Sequence, residues 1–547
     1  MITGDTILVL LELLMCALLW FLAGFAEKNI NSKWRICYAI PVILCLVMIT
    51  VTGFEITMLG AYIGSVILLC GFFRDNKLIR RISCIVGAVS VLVSFAVASN
   101  SSDYRNVDYA TEFKTAFKKI ERFYILDEHK GIDLDSLYEK YLPRFEEATR
   151  NHSEDENIVA WLEFTAEFND GHVYYAPKGD YEEVMTRIYD KILGNDYGLA
   201  VMTLSDGTAV AVNVDPYLSE TGIAEGTVIT SWNGKSPVEN GEEMMKYFGF
   251  ADKDNEEFYK SLYGAGAGGD TVTVTYLDEA GNEQTAELSK IGSYYSDRLK
   301  TALEIINGGI DAGHLKWTDI NENTAALRIK MMMHDSDSSN SNSFDRLKSQ
   351  LYAKLEELKA AGVENIILDM RDNSGGSGAM VQAVVQIFSP VGEHYYSNDG
   401  VWDNKKQCYK TDPETGKFLI GKRNTYAGEG VWDGEIVILI NANSVSAADH
   451  TIQILSGFDN ITVMGFTESN GSSQGVGGIY LESGMLSISG SLMLYENGEV
   501  FIDSGVDRES GNDVEIRVPF DCEAVDSLFV RGEDYLVNKA VEYFNTK

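Results

Sequence analysis

The chain has 547 residues, of which 45% are hydrophobic, and it carries 81 acidic against 45 basic residues for a formal net charge of −36. A chain of this length predicts about three or four domains, and its apolar fraction excludes a mostly disordered protein. So large an acidic excess, with no long lysine- or arginine-rich run, excludes a nucleic-acid partner because phosphate backbones would be repelled.

The first hundred residues differ from the rest in charge and hydrophobicity. They hold seven basic and five acidic residues, a net charge of +2, so that the rest of the chain carries −38. Four apolar runs here each have about the length that a helix needs to cross roughly 30 Å of hydrocarbon. These runs are Ile7 to Ala26, Ile36 to Phe54, Ile56 to Phe73 and Ile82 to Ala98. We predict a membrane region of four helices at residues 1–100, with three spans as the alternative.

The basic residues of this segment indicate its orientation in the bilayer. They concentrate in two connectors, after the first and the third apolar run, as Lys28, Lys33, Arg35, Arg74, Lys77, Arg80 and Arg81. Positively charged connectors stay in the cytoplasm. The lipid bilayer is therefore a predicted partner, and the chain after Ala98 is expected on the extracytoplasmic side.

Beyond the apolar segment, the hydrophobic periodicity changes twice. Residues 101–194 show helical stripes such as Phe113 and Phe117, and they predict a helical subdomain. Residues 195–292 show short β-like runs with turn signals, which predict a compact all-β module. Residues 293–547 alternate short apolar strands with helices, which is typical of a largely parallel α/β sheet with its chemistry at the strand carboxyl ends.

Two strand ends in the α/β region carry residues suited to catalysis. The strand Ile366 to Met370 runs into a turn in which the backbone N–H groups of Gly375 and Gly376 could converge on a developing oxyanion. The strand "EIVILI" leads to Ser444 and Ser446 at the start of a helix, where a hydroxyl would stand above the sheet. Considered locally, the turn is equally consistent with a plain strand-to-helix connection, and each serine with a helix cap.

The order of motifs along the whole chain favours catalysis. In sequence they are "FNDGH", "YGLAV", "GIAEGTVITSWNGK", "LDMRDNSGGSG", "NSVSAADH", "VMGFTESNG" and "FIDSGVDRESGNDVEIRV". Over about residues 105–545 this series resembles the C-terminal-processing (tail-specific) serine protease family. The resemblance implies a crotonase-like α/β peptidase core at residues 293–547, an inserted PDZ-like domain at residues 195–292, polypeptide substrates, and neither a cofactor nor a metal.

The resemblance also implies which residues catalyse. The bacterial branch of the family pairs its serine with a lysine on a following strand, but this chain has no lysine between Lys422 and Lys539. It instead resembles the tricorn-like branch, which uses a histidine ahead of the PDZ-like domain. Ser446 would then be the nucleophile and His172 the general base. The N–H of Ala447 would complete an oxyanion hole with one of the two glycines.

A carboxylate is expected to orient the imidazole. Asp503 in "FIDSG" is the predicted residue, with Glu468 and Glu509 as alternatives. The tricorn-like branch has a glutamate at this place and a serine immediately before its histidine, where this chain has Gly171. His450 is the only rival base near Ser446, but side chains four apart on one helix rarely align as base and nucleophile.

A PDZ-like domain implies that an extended peptide, often including its C-terminal carboxylate, binds as an additional strand at the edge of a sheet. The predicted peptide-binding residues are Tyr197, Gly198, Leu199 and Ala200. The function predicted from the sequence is a membrane-anchored, extracytoplasmic serine endopeptidase. The alternative is a catalytically silent peptide-binding or sensing protein with the same fold, which the departures at the catalytic positions would favour. The sequence predicts no oligomeric state.

Overall fold

The computed structural model describes residues 107–309, 315–333, 343–509 and 511–547, and otherwise only the single positions Ile43, Val66 and Leu78. The chain divides into two units, Met1–Val107 and Asp108–Lys547. The four membrane helices predicted at residues 1–100 lie outside the described residues. In the part of the chain that is described, no helix is both long and apolar enough to cross a membrane.

Residues 109–193 form the predicted helical subdomain. Its first and third helices begin where the carboxylates of Asp108 and Asp133 accept backbone N–H groups of the first turn. The predicted stripe of Phe113 and Phe117 is fully buried. The elements are α1 Tyr109–Phe123, α2 Asp127–Lys130, α3 Leu134–Asn151, α4 Glu154–Ala166, β1 Tyr174–Pro177 and α5 Tyr181–Leu193.

The middle region, residues 195–293, has antiparallel strand pairs but is not all-β as predicted. Its elements are β2 Asn195–Asp196, β3 Ala200–Thr203, β4 Ala209–Val212, β5 Ile229–Trp232, α6 Pro237–Met244, α7 Lys253–Gly264, β6 Thr271–Leu277, β7 Glu283–Ser289 and β8 Gly292–Ser293. The all-β prediction was wrong because local signals start two helices in a glycine-containing stretch. Ser236 and Glu239 form a reciprocal capping box at α6, and Asp252 caps α7.

The α/β core contains a six-stranded sheet in the order β21-β17-β16-β11-β10-β9. All its strand pairs are parallel except β9 with β10, so the predicted largely parallel sheet is confirmed. The sheet strands are β9 Leu315–Asn321, β10 Thr324–Ile329, β11 Asn365–Asp369, β16 Glu435–Leu439, β17 Ile461–Gly465 and β21 Ile516–Arg517. The helices are α8 Lys300–Ile306, α9 Ser343–Ala361, α10 Gly378–Phe388, α11 Ala447–Leu455, α12 Cys522–Val525 and α13 Tyr535–Phe544.

Smaller sheets, which the sequence did not predict, surround this core. Their strands are β12 Gly392–Gly400, β13 Trp402–Asp403, β14 Cys408–Tyr409, β15 Ile420–Gly428, β18 Gly475–Tyr480, β19 Gly484–Ser491 and β20 Met493–Leu494. One sheet has the order β1-β19-β18, in which Tyr175 of the helical subdomain pairs with Leu486 of the core. This pairing brings the turn that precedes β1, and with it His172, to the peptidase core.

Candidate active site

Ser446 stands between β16 and α11, at the amino-terminal end of that helix. Its backbone has φ 64° and ψ −116°, a left-handed conformation that residues other than glycine rarely adopt. Its N–H donates to the carbonyl oxygen of Ser472 at 3.0 Å and to Oδ2 of Asp449 at 2.9 Å. A partly exposed serine on a strained strand-to-helix turn is an arrangement suited to a nucleophile.

Ser444 has a different environment from Ser446. It is fully buried, and its Oγ donates to the carbonyl oxygen of Met370 at 2.9 Å while accepting the N–H of Asn441 at 3.1 Å. The first bond links the end of β11 to the loop after β16, and the second lies within that loop. Ser444 therefore has a structural role, and Ser446 is the serine of the pair that a substrate can reach.

The predicted glycine turn lies directly against Ser446. A Cβ on Gly375, whose φ is 80°, would lie 2.7 Å from Cβ of Ser446 and 3.2 Å from N of Ala447. The N–H of Gly375 already donates to Oδ1 of Asn373 at 3.0 Å. Among the described residues, the N–H groups of Gly376 and Ala447 have no acceptor. These two groups are therefore the ones available to an oxyanion, and Gly375 supplies the close backbone approach.

Asp449 connects the start of α11 to the loop after β17. It is fully buried and accepts five hydrogen bonds, from the backbone of Ser446, Gly471 and Ser472, the hydroxyl of Ser469 and the amide of Asn512. Burial raises the pKa of Asp449 to about 7, while these donors favour its ionised form. The sequence analysis missed this residue, although Ser446 and Asp449 have the spacing of a capping box.

His172 lies in the turn before β1, with 6% of its surface exposed. Its backbone N–H donates to Oδ1 of Asp170 at 2.9 Å, whereas neither ring nitrogen has a hydrogen-bond partner among the described residues. Burial lowers the pKa of His172, the carboxylate of Asp170 opposes this, and Lys130 lowers it further. The ring is therefore neutral near pH 7, which is the form that a general base requires.

Ser472 joins the turn of His172 to the turn of Ser446. Its Oγ accepts the N–H of Gly171 at 2.8 Å, and its carbonyl oxygen accepts the N–H of Ser446. A Cβ on Gly171 would lie 2.4 Å from Oδ1 of Asn470, so a larger residue would require the side chain of Asn470 to move. The glycine, where the tricorn-like branch has serine, thus fits the present position of Asn470.

Asp503, the predicted orienting carboxylate, is buried in the loop after β20. Its Oδ2 accepts the N–H of Ser473 at 3.2 Å, and its Oδ1 lies 3.3 Å from Nζ of Lys130. Burial raises the pKa of Asp503, while the lysine charge opposes this. Asp503 is adjacent to the site, but in this structure its ionic partner is Lys130 and not His172.

The two alternative carboxylates are engaged elsewhere. Glu468 pairs with Arg517 at 2.6 Å, and Glu509 pairs with Lys253 at the same distance. Neither forms a hydrogen bond to His172, whose ring nitrogens have no partner in the described chain. Asp503 thus remains the predicted third member.

His450, the rival base, is buried between aromatic rings. Its Nδ1 lies 3.4 Å from the hydroxyl of Tyr396, and the ring of Phe501 packs against its edge. Burial lowers the pKa of His450 to about 4. Its backbone N–H donates to the carbonyl oxygen of Ser446 at 3.0 Å, but among the described residues no hydrogen bond joins its ring to the Ser446 hydroxyl, so His172 remains the predicted base.

Tyr217 covers the predicted peptide-binding residues of the middle region. Its hydroxyl donates to the carbonyl oxygen of Tyr197 at 2.7 Å, and its ring would lie 2.3 Å from a Cβ on Gly198. The N–H of Gly198 donates to Asp196, and Leu199 and Ala200 are fully buried. Peptide binding at these four residues stays a prediction, and it requires Tyr217 to move.

A cleft of about 450 Å³ opens beside the turn that carries Ser446. Its lining residues from the turns around Ser446 and His172 are Gly171, Asp372, Ser374, Asn443, Val445 and Asn470, and those from residues 295–307 are Tyr295, Lys300, Leu303, Glu304 and Asn307. The cleft therefore borders the turns of both His172 and Ser446. Among the described residues, no cluster of three or more histidine, cysteine or carboxylate side chains could hold a metal ion.

Comparison with known proteins supports the catalytic interpretation of this region. Residues 323–510 match the family model described as peptidase family S41. No curated protein matches the sequence significantly. The middle of the matched range contains both the glycine turn and Ser446.

Two solved structures with TM-scores above 0.5 share the fold at low sequence identity. Mature CPAF complexed with lactacystin superposes with a TM-score of 0.54 at 14% identity, covering 80% of this chain and 99% of that chain. Another structure of mature CPAF gives 0.52 at 14% identity, covering 78% and 98%. The photosystem II D1 C-terminal processing protease aligns at 15% identity over 77% and 97%, with a TM-score of only 0.34.

The family match covers four of the six strands of the α/β sheet and the serine turn, and the CPAF structures share the fold. The chain is therefore a peptidase, and its residues 323–510 match the model of peptidase family S41.

Proposed function

We propose that the protein is a serine endopeptidase of the tail-specific type, with Ser446 as nucleophile, His172 as general base and Asp503 as the carboxylate that orients the imidazole. The observation that carries the proposal is the position of Ser472. The Oγ of Ser472 accepts the N–H of Gly171, in the turn of His172, and its carbonyl oxygen accepts the N–H of Ser446. Base and nucleophile are thereby held on adjoining turns although they are far apart in sequence.

The proposed reaction begins when the neutral imidazole of His172 takes the proton from Oγ of Ser446 as this oxygen attacks the scissile carbonyl carbon. The carbonyl oxygen becomes an oxyanion and accepts the N–H groups of Gly376 and Ala447, assisted by the positive end of α11. The imidazolium then gives its proton to the leaving amine, and the C–N bond breaks. In the second half of the reaction His172 takes a proton from a water molecule that attacks the acyl carbon, and it returns a proton to Oγ of Ser446 as the C–O bond of the acyl-enzyme breaks.

Without a substrate, His172 lacks the hydrogen bonds that this reaction requires. The ring nitrogens of His172 have no partner among the described residues, so the hydrogen bonds to Ser446 and Asp503 must form when substrate binds. Catalytic hydrogen bonds are often long or absent without substrate. The cleft of about 450 Å³ is the place where a bound peptide would exclude water and bring these groups together.

The finer features of the proposed function come from the sequence. The apolar segment at residues 1–100 would anchor the protein in the membrane with four helices, and the basic connectors would place the peptidase on the extracytoplasmic side. A PDZ-like role of the middle region would present an extended polypeptide segment to the cleft once Tyr217 is displaced. These features match a peptidase that acts on flexible segments near the membrane.

The experiment uses the full-length chain in detergent micelles with fluorescently labelled, unfolded casein as substrate. Ser446→Ala and His172→Ala are each expected to lower the hydrolysis rate by at least about 10³-fold. Ser349→Ala, on the exposed face of α9, is the matched control and should leave the rate unchanged. Full hydrolysis by Ser446→Ala would overturn the proposal. A folded wild-type protein that binds casein without cleaving it would favour the catalytically silent alternative.

A further inference from the structure

Lys130, a residue to which the sequence assigned no role, is buried beside the proposed base and carboxylate. It is the last residue of α2, and 3% of its side chain is exposed. Its Nζ lies 3.3 Å from Oδ1 of Asp503, and it donates to the carbonyl oxygen and hydroxyl of Ser504 at 3.0 and 2.8 Å and to the carbonyl oxygen of Asn169 at 3.1 Å. Four acceptors surround one ammonium group.

The acceptors come from the two segments that hold the proposed catalytic groups. Asn169 precedes His172 by three residues, and Ser504 follows Asp503 directly. A buried ammonium group is destabilising unless it is paired and hydrogen-bonded. The four acceptors around Lys130 meet this requirement. Because its donors are all directed at these acceptors, Lys130 is not available as a base for Ser446.

The short helix that carries Lys130 is fitted to the loop of Asp503. Gly131 ends the helix with φ 66°, and a Cβ there would lie 3.0 Å from Cγ2 of Val506. His129 lies 3.4 Å from the carbonyl oxygen of Asp503. Consecutive residues of this segment therefore contact the loop that holds Asp503, and the position of Lys130 is well defined.

Lys130 also sets the charge balance of the cluster. Two carboxylates, Asp170 and Asp503, are close enough for the charge of one to raise the pKa of the other, and Lys130 is the cation that opposes this. Asp170 additionally accepts the hydroxyls of Tyr124 and Ser489. Other titratable groups near the cluster are the imidazoles of His129, His172 and His450 and the carboxylates of Asp127, beside Tyr124, and Asp507, beside His129.

We propose that Lys130 is a positioning residue for catalysis. Its ammonium group joins the turn of His172 to the loop of Asp503 through Asn169, Ser504 and Asp503 itself, and it keeps the imidazole and the carboxyl group in the positions from which they meet on substrate binding. The orphaned atoms support this role: both ring nitrogens of His172 lack partners in the described chain, and Oδ1 of Asp503 has only the ion pair. The inference rests on the proposed function of Ser446 and His172.

The test replaces Lys130 in the full-length protein by methionine, which keeps the length but removes the charge, and by arginine, which keeps the charge. Lys130→Met is expected to lower kcat for casein by about 10- to 100-fold with KM nearly unchanged, because misplacement of a catalytic group by about 1 Å has effects of this size. Lys130→Arg should recover most of the loss. Lys140→Met, at an exposed ion pair with Glu167, is the matched control.

The pH profile distinguishes positioning from general structural damage. Since Lys130 lowers the pKa of His172, its removal should move the acid limb of kcat/KM to higher pH. Asp170→Asn, which removes a carboxylate that raises this pKa, should move the limb to lower pH. An unchanged kcat and an unchanged acid limb in Lys130→Met would overturn the inference. So would an arginine variant as inactive as the methionine variant.

A double variant keeps the inference testable if Lys130→Met does not fold. Lys130→Met combined with Asp503→Asn removes both charges and leaves no unpaired ion. Because Lys130 also holds the turn of His172 through Asn169 and Ser504, the double variant should have a lower kcat than Asp503→Asn alone. A double variant with the same kcat as Asp503→Asn would contradict the inference. Failure of this inference can be told apart from failure of the proposed function, because the latter would appear as full activity in Ser446→Ala.

Discussion

Ser446 holds its backbone in a conformation that favours glycine, at the position where the hydroxyl must reach a substrate. Hydrogen bonds from its N–H to Ser472 and Asp449 hold this turn. A non-glycine residue in such a region is destabilised by about 1–3 kcal/mol. The strain is therefore a feature of the proposed nucleophile turn that can be measured separately from activity.

This strain predicts opposite effects on stability and on activity. Ser446→Gly should abolish casein hydrolysis and, because it relieves the strain, unfold at a temperature about 1–3 °C above Ser446→Ala, which keeps a Cβ. Differential scanning fluorimetry of the two full-length variants measures the difference. A glycine variant that is less stable than the alanine variant would show that the turn is not strained.

Sequence analysis located the serine turn and the histidine turn but missed two buried residues beside them. Ser446 and His172 were assigned through short motifs, and the structure brings both turns to Ser472. Asp449 had a local signal in its capping-box spacing. Lys130 had none, because its partner Ser504 is 374 positions away and only tertiary packing brings them together.

At the scale of secondary-structure elements, the pairing of β1 with β19 is what assembles the site. It is antiparallel from Tyr174 with Ser487 to Pro177 with Gly484, and His172 lies just before it. The sequence did not predict this sheet, because β18 is rich in glycine and largely exposed. By contrast the strands β11 and β16, and the alternation of strands with helices around them, were predicted from short apolar runs, since strands buried in a parallel sheet are apolar on both faces.

The amino-terminal end of α11 depends on the carboxylate of Asp449. Five donors point at its two oxygens, and an asparagine would turn an NH₂ group toward some of them. Asp449→Asn should therefore lower stability by about 1–3 kcal/mol and kcat by at least about tenfold, because the Ser446 turn loses its support. Thermal unfolding and casein hydrolysis are the measurements, with the exposed Asp459→Asn as control. Unchanged kcat in the variant would exclude this role.

At the scale of the whole molecule, the charge is divided between a first segment of +2 and a remainder of −38. This asymmetry, read from the sequence, predicted the sidedness of the chain and excluded nucleic acid. The α/β character of the core was also predicted and is confirmed, whereas the boundary of the helical subdomain stays a prediction. The helices α6 and α7 were not, since capping residues there started helices within a turn-rich pattern.

The charge of the peptidase part predicts a preference among substrates. Peptides flanked by lysine should be cleaved with a higher kcat/KM than otherwise identical peptides flanked by glutamate, because a strongly acidic surface attracts cations. The preference should shrink between about 20 mM and about 500 mM NaCl as salt screens the charges. Kinetics of the two peptides at both salt concentrations measure it. Faster cleavage of the acidic peptide at low salt would contradict this expectation.

The most direct test of the central claim is to identify the serine that reacts. The full-length protein is treated with a fluorophosphonate probe and digested. Mass spectrometry then locates the modified residue. The account predicts one adduct per chain on Oγ of Ser446, formed much more slowly in His172→Ala and at the wild-type rate in the Ser349→Ala control. An adduct on another serine, or casein hydrolysis that persists after Ser446 is fully modified, would contradict it.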